Sequence, residues 1–218
     1  MLGFAISAIT LDLRAPTAHV GICWNRSKEL CMFIQTETTP NPATLKFVPG
    51  RAVMGDAGVA DFPDAEAATR SPLAEALFAI PGVSRVFFGS DFVSVTKSGG
   101  DWRNLKAPIL GAIMDHFTRG LALIADGGAG TEEESAVAEG DEDIVSQIRE
   151  LLDTRVRPAV AGDGGDIVFK GFDGGAGIVF LQLRGSCAGC PSSTMTLKNG
   201  IENMLRHYIP EVNAVEAV

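Results

Sequence analysis

The chain reads as an α+β protein: two small α/β-layered domains joined by an acidic flexible linker, the second with the element order α-β-β-α-β. Three observations predict this. Both halves mix apolar residues at helical spacing with short β-branched and aromatic runs. Residues 126–143 hold eight acidic side chains and no basic one, set among glycine and small residues. A length of 218 residues suits one large or two small domains at roughly 100–200 residues each. The predicted boundaries are an N-terminal extension over 1–31, a first domain over 32–125, the linker over 126–143 and a second domain over 144–218.

The first half alternates strands and helices. Phe33–Thr36 and Leu45–Val48 read as short strands, with Thr39-Pro40-Asn41-Pro42 as the turn between them. Ser71-Pro72 starts a helix, with Ser as N-cap and Pro at the first helical position. Its stripe is Leu73, Leu77 and Ile80, and Pro81-Gly82 ends it. Val83–Phe88 and Phe92–Thr96 surround Gly89-Ser90-Asp91, which predicts a hairpin. Asp101 opens a helix carrying Leu105, Ile109, Ile113 and Phe117 on one face, with Pro108 in or near its first turns.

In the second half, Ile144, Val145, Ile148, Leu151, Leu152 and Val156 form a helical stripe, with Asp141-Glu142-Asp143 at the positive end of its dipole. Pro158 and Gly162-Asp163-Gly164-Gly165-Asp166 are read as stopping that helix. Ile167–Phe172 and Ile178–Leu183 are strands around a glycine-rich loop, the second apolar on both faces and therefore central. A helix with Leu197, Ile201, Met204, Leu205 and Tyr208 on one face follows, and Val212–Val218 gives a last short strand.

The net charge of −9 argues against a generally basic nucleic-acid binder, and nearly all of it lies in the linker. No apolar run approaches the length of a membrane span. Residues 1–31 have no basic residue ahead of their apolar start and contain Asp12 and Glu29, which a transit peptide tends to avoid. The expected compartment is therefore soluble and reducing, a bacterial-type cytoplasm in preference to a mitochondrion. Met32 opens a new pattern, so residues 1–31 are read either as an extension from a misplaced start codon or as a genuine, loosely packed tail.

The chemistry concentrates in Cys187-Ala188-Gly189-Cys190, at a glycine-rich turn where a strand meets a helix. The thiolate is the form that binds metal, and a helix N-terminus lowers a thiol's pKa. Three readings follow from the residues. The pair can be two inert buried thiols. It can be a thioredoxin-like dithiol, although no aromatic precedes the first Cys and Ala-Gly stands between the two. Or it can bind metal. A zinc ion or an iron–sulfur cluster commonly takes four thiolates, so two chains meeting on a twofold axis would complete a set. Cys23 and Cys31 lie in the extension, and nothing in their spacing points to this site. His116 and His207 read as surface or partly buried helix residues. With three histidines, and no triad, phosphate loop or paired carboxylates in evidence, an enzyme is not expected.

Gly162–Asp166, the hairpin, and Leu183-Arg184-Gly185-Ser186-Cys187-Ala188-Gly189-Cys190-Pro191-Ser192-Ser193-Thr194 resemble the C-terminal NifU domain. Met32–Pro42 with Leu45-Lys46-Phe47 resembles the Nfu N-terminal domain. The resemblance covers nearly all of 32–218, in the order of two-domain Nfu proteins. It implies an iron–sulfur cluster scaffold or carrier that holds a [4Fe–4S] cluster between two protomers through Cys187 and Cys190. Such a protein is a homodimer when loaded, takes its cluster from upstream assembly proteins and passes it to apo iron–sulfur clients. No nucleic-acid or membrane partner is implied.

Overall fold

The computed structural model describes residues 33–125, 142–188 and 191–218. The readings placed on 1–31, on most of the linker and on Cys190 lie outside these residues. Met32–Val218 forms one compact unit that contains two sheets, each with its own hydrophobic core, as an α+β architecture requires.

The first sheet has strands β1 (Gln35–Thr38), β2 (Thr44–Val48), β3 (Ala60–Phe62), β4 (Val83–Phe88) and β5 (Val93–Lys97). Their order is β1-β2-β5-β4-β3, and every neighbouring pair is antiparallel. The strand β3 is absent from the sequence reading. It is three residues long, too short to show a period.

Alternation along the strands puts Leu45 and Phe47, Val93 and Val95, and Val86 and Phe88 on one face. Helices α1 (Pro72–Phe78) and α2 (Trp102–Arg119) cover that face with Leu73, Leu77, Leu105, Ile109 and Ile113. Burying each such side chain stabilises the fold by about 1.5–3 kcal/mol. Both helices start where their capping residues stand: Ser71 Oγ accepts from Ala74 N at 3.2 Å, and Asp101 Oδ1 from Arg103 N at 3.0 Å.

On the opposite face, Lys46, Ser94, Phe87 and Asp61 are aligned across β2, β5, β4 and β3. Ser94 and Phe87 are fully buried although they point away from the core of their own sheet. They are covered by the second half of the chain.

That half begins with α3 (Glu142–Leu151), with Glu142 and Asp143 in its first turn as the dipole favours. The expectation that Pro158 stops the helix is corrected. A π-turn over Leu152–Val156 leads directly into α4 (Arg157–Gly162), which holds Pro158 in its first turn. The wider turn, with Arg157 N donating to Leu152 O, takes up the proline ring that a regular α-turn would press against a preceding carbonyl. The sheet comprises β6 (Gly165–Asp173), β7 (Ile178–Gly185) and β8 (Ala214–Ala217) in the order β6-β7-β8. As the sequence predicts, β7 is central, antiparallel to β6 and parallel to β8. Helix α5 (Pro191–Tyr208) makes the crossover that a parallel pair needs. The core joins Ile148, Leu152 and Val160 to Val179, Leu181, Ile201 and Leu205.

Candidate metal centre

The strand β7 ends at Gly185, whose φ of +63° turns the chain sharply. Ala188 N closes that turn on Gly185 O at 3.2 Å. A second loop, the end of α4 and the start of β6, runs beside it. Ser186 ties the two together: its N–H donates to Gly164 O at 3.2 Å and its hydroxyl to Asp163 O at 2.6 Å. From the far side, Thr194 Oγ1 in α5 donates to Cys187 O at 3.1 Å. The Cys187 backbone is thus held between a strand end and a helix start.

The Cys187 side chain is buried, 7% exposed, with Sγ 3.8 Å from Ser186 Oγ. Its neighbour is Gly165: a Cβ there would lie 2.6 Å from Cys187 Sγ and 2.8 Å from Arg184 O. Glycine at 165 is therefore the residue that leaves the thiol its place.

Burial pushes the Cys187 thiol up to about 11; the Ser186 hydroxyl works the other way, and the negative charges of Asp163 and Asp166 add to the rise. The lowering expected of a cysteine at the helix N-terminus is thus not found at Cys187, and Cys190, next to that helix, lies outside the described residues. The same burial shields the Cys187 thiol from solvent, and a metal that bound it would have to displace its proton. Asp166 is itself 6% exposed. Desolvation raises its pKa against the opposing charges of Arg157, 3.3 Å away, and Arg184 and a backbone N–H bond from Ile167. Its Oδ2 has no hydrogen-bond partner among the described residues.

A cavity of about 400 Å³ opens on Cys187. Ser186, Asp163 and Leu197 line it from the second half, and Pro40 and Asn41 from the β1–β2 turn of the first. A thiol is the donor type that iron–sulfur clusters take, so the residue fits. Among the described residues no group of three or more His, Cys, Asp or Glu is placed to hold a metal. Among the described residues Cys187 is the one cysteine on this cavity.

Of the site residues the sequence singled out, Cys187 is at the cavity, and Cys190, Cys23 and Cys31 lie outside the described residues. His207 is exposed. His116 is only 3% exposed, more deeply buried than the surface or partly buried place expected of it, and is packed edge-on against Phe117. The Gly162–Asp166 run is a helix stop, as read, and also one wall of the cysteine loop. The sequence marks Asp163, Gly165 and Asp166 only as part of the Gly162–Asp166 turn, and Asn41 not at all as a site residue. For Asn41 the turn chemistry of Thr39–Pro42 was a sufficient local explanation.

Two family models match the chain: "Scaffold protein Nfu/NifU N terminal" over residues 34–120 and "NifU-like domain" over 148–216. The chain is 54% identical over 217 residues to NifU-like protein 4, mitochondrial, of Arabidopsis thaliana, covering 97% of this chain and 76% of the relative. It is 54% identical over 193 residues to the NFU1 iron-sulfur cluster scaffold homolog, mitochondrial, of Homo sapiens, covering 86% and 72%. Both relatives are named mitochondrial, which overturns the bacterial-type cytoplasmic placement. That placement leaned on Asp12 and Glu29, and two acidic residues in 31 are too few to decide a compartment. With both family models matched in order and relatives similar over most of its length, the chain belongs to the Nfu/NifU-like scaffold family.

Proposed function

We propose that this protein is an iron–sulfur cluster scaffold that carries a [4Fe–4S] cluster between two protomers, each contributing Cys187 and Cys190, and passes it to apo-proteins. The cluster is cargo, and the protein is a carrier rather than an enzyme. The observation that carries this reading is the place of Cys187: a soft donor on a cavity, at a turn held by Gly185, Ser186 and Gly165, with an incomplete ligand set around it. The relatives' names, scaffold and NifU-like, support it.

The chain's own residues set the terms of loading. The raised pKa of Cys187 ties cluster uptake to release of its proton. Sharing a cluster between two subunits leaves it open to ligand exchange with a client that offers a fuller thiolate set.

The test is anaerobic reconstitution with iron and sulfide, followed by sedimentation and metal analysis. Loading is expected to convert the chain to a dimer holding about four irons, the content of one cubane cluster. Zinc in place of iron and sulfide, or disulfide reductase activity without cluster uptake, would overturn the reading.

A further inference from the structure

The first sheet turns its outer face to the cysteine loop and meets it with side-chain donors. Asn41 Nδ2 donates to Ser186 O at 3.1 Å, Ser94 Oγ to Gly164 O at 2.6 Å, and Lys46 Nζ to Gly162 O at 3.2 Å. All three acceptors are main-chain carbonyls of the two loops that hold Cys187, and all three donors come from far away in sequence.

Asn41 is 2% exposed, and its Oδ1 is fixed by Ala43 N at 3.0 Å, so the amide is oriented before it reaches the loop. The contact is too close to be incidental. A Cβ at Gly185 would meet the Phe87 ring at 2.9 Å, and one at Gly164 would meet Ser94 Oγ at 2.7 Å. Pro40 and Asn41 also form part of the wall of the cavity that opens on Cys187.

We propose that the outer face of the first sheet, together with its β1–β2 turn, is a positioning surface for the cluster-binding loop, with Asn41 of the turn and Ser94 of β5 as its positioning residues and Lys46 as a third donor. These residues touch backbone carbonyls and act on the cargo through the loop. Docking keeps Cys187 shielded in the unloaded chain and sets how fast a bound cluster leaves. The effect on the cargo rests on the carrier function proposed above; the shielding of Cys187 does not.

The test uses the full chain in a Cys190→Ser background, reduced and cluster-free, with iodoacetamide as probe and peptide mass spectrometry to follow Cys187. Asn41→Asp keeps an acceptor for Ala43 N and removes the donor to Ser186 O. Ser94→Ala removes the donor to Gly164 O. Each is expected to speed alkylation of Cys187 by roughly fivefold to tenfold, the factor by which losing one buried hydrogen bond shifts a local opening equilibrium.

Ser84→Ala is the control. Its hydroxyl donates within its own sheet, to Thr96 O at 3.2 Å, and its loss is expected to leave the rate unchanged. Rates within twofold of the parent for both test variants would overturn the proposal, as would an equal rise in Ser84→Ala. If Asn41→Asp fails to fold, Ser94→Ala decides by the same criteria.

In the Cys190-containing protein loaded with cluster, Asn41→Asp is expected to release iron to a chelator several-fold faster, the rate being taken per iron bound. Unchanged release would overturn the part of the proposal that concerns cargo. A parent protein that takes up no cluster would remove the carrier function, while the alkylation rates would still decide whether the sheet positions the loop.

Discussion

Gly165 and Cys187 are bound to each other by space: the missing Cβ of one would stand 2.6 Å from the sulfur of the other. Gly165→Ala should therefore force the thiol or the strand end to move. The expected cost is about 1–3 kcal/mol, as for other insertions into a filled interior, together with loss of cluster loading. Gly162→Ala, with open space at the corresponding point, should leave both within about 0.5 kcal/mol and normal iron content. Urea unfolding and iron analysis of the two variants check the contrast.

His116 gives the fold a pH dependence of its own. Burial lowers its pKa below the ordinary 6.5, against the raising effect of Asp115. The folded state therefore binds the proton less readily than the unfolded chain. Stability from this group is full above pH 6.5, declines as pH falls below it, and levels off beneath the lowered folded value. His116→Gln should lack this decline. Urea midpoints of parent and variant at several pH values between neutrality and the carboxylate range measure the difference, which should shrink toward acid pH.

Ser71 is fully buried at the start of α1, where its hydroxyl accepts from Ala74 N. Ser71→Ala leaves that N–H without its cap and should cost about 1 kcal/mol, read as a lower urea midpoint at unchanged slope. Cluster loading should be unaffected, since α1 lies on the face of the sheet away from Cys187.

Local chemistry was legible in the sequence; contact between distant segments was not. Ser71 and Asp101 announce their helices because a cap acts within three residues. The central place of β7 is legible because a strand apolar on both faces has to be covered on both. The Cys187–Cys190 pair stands out by spacing alone. The docking of the first sheet on the cysteine loop was hidden, because Asn41, Ser94 and Lys46 are ordinary turn and strand residues whose partners lie 145, 70 and 116 positions away.

One signal for it was present in Val86-Phe87-Phe88. Consecutive apolar residues leave no solvent face on a strand, which implies a second cover over this part of the sheet. The raised pKa of Cys187 could not be read either. It follows from burial and from Asp163 and Asp166, which only the fold brings to the thiol.

The central claim is that Cys187 and Cys190 hold a cluster shared by two chains. Mössbauer spectroscopy with iron and sulfide analysis, on anaerobically reconstituted parent protein and on Cys187→Ser and Cys190→Ser variants, tests it most directly. The account predicts a cubane signature with about four irons per two chains in the parent and none in either variant. A Cys187→Ser/Cys190→Ser double variant that still binds a full cluster would contradict it.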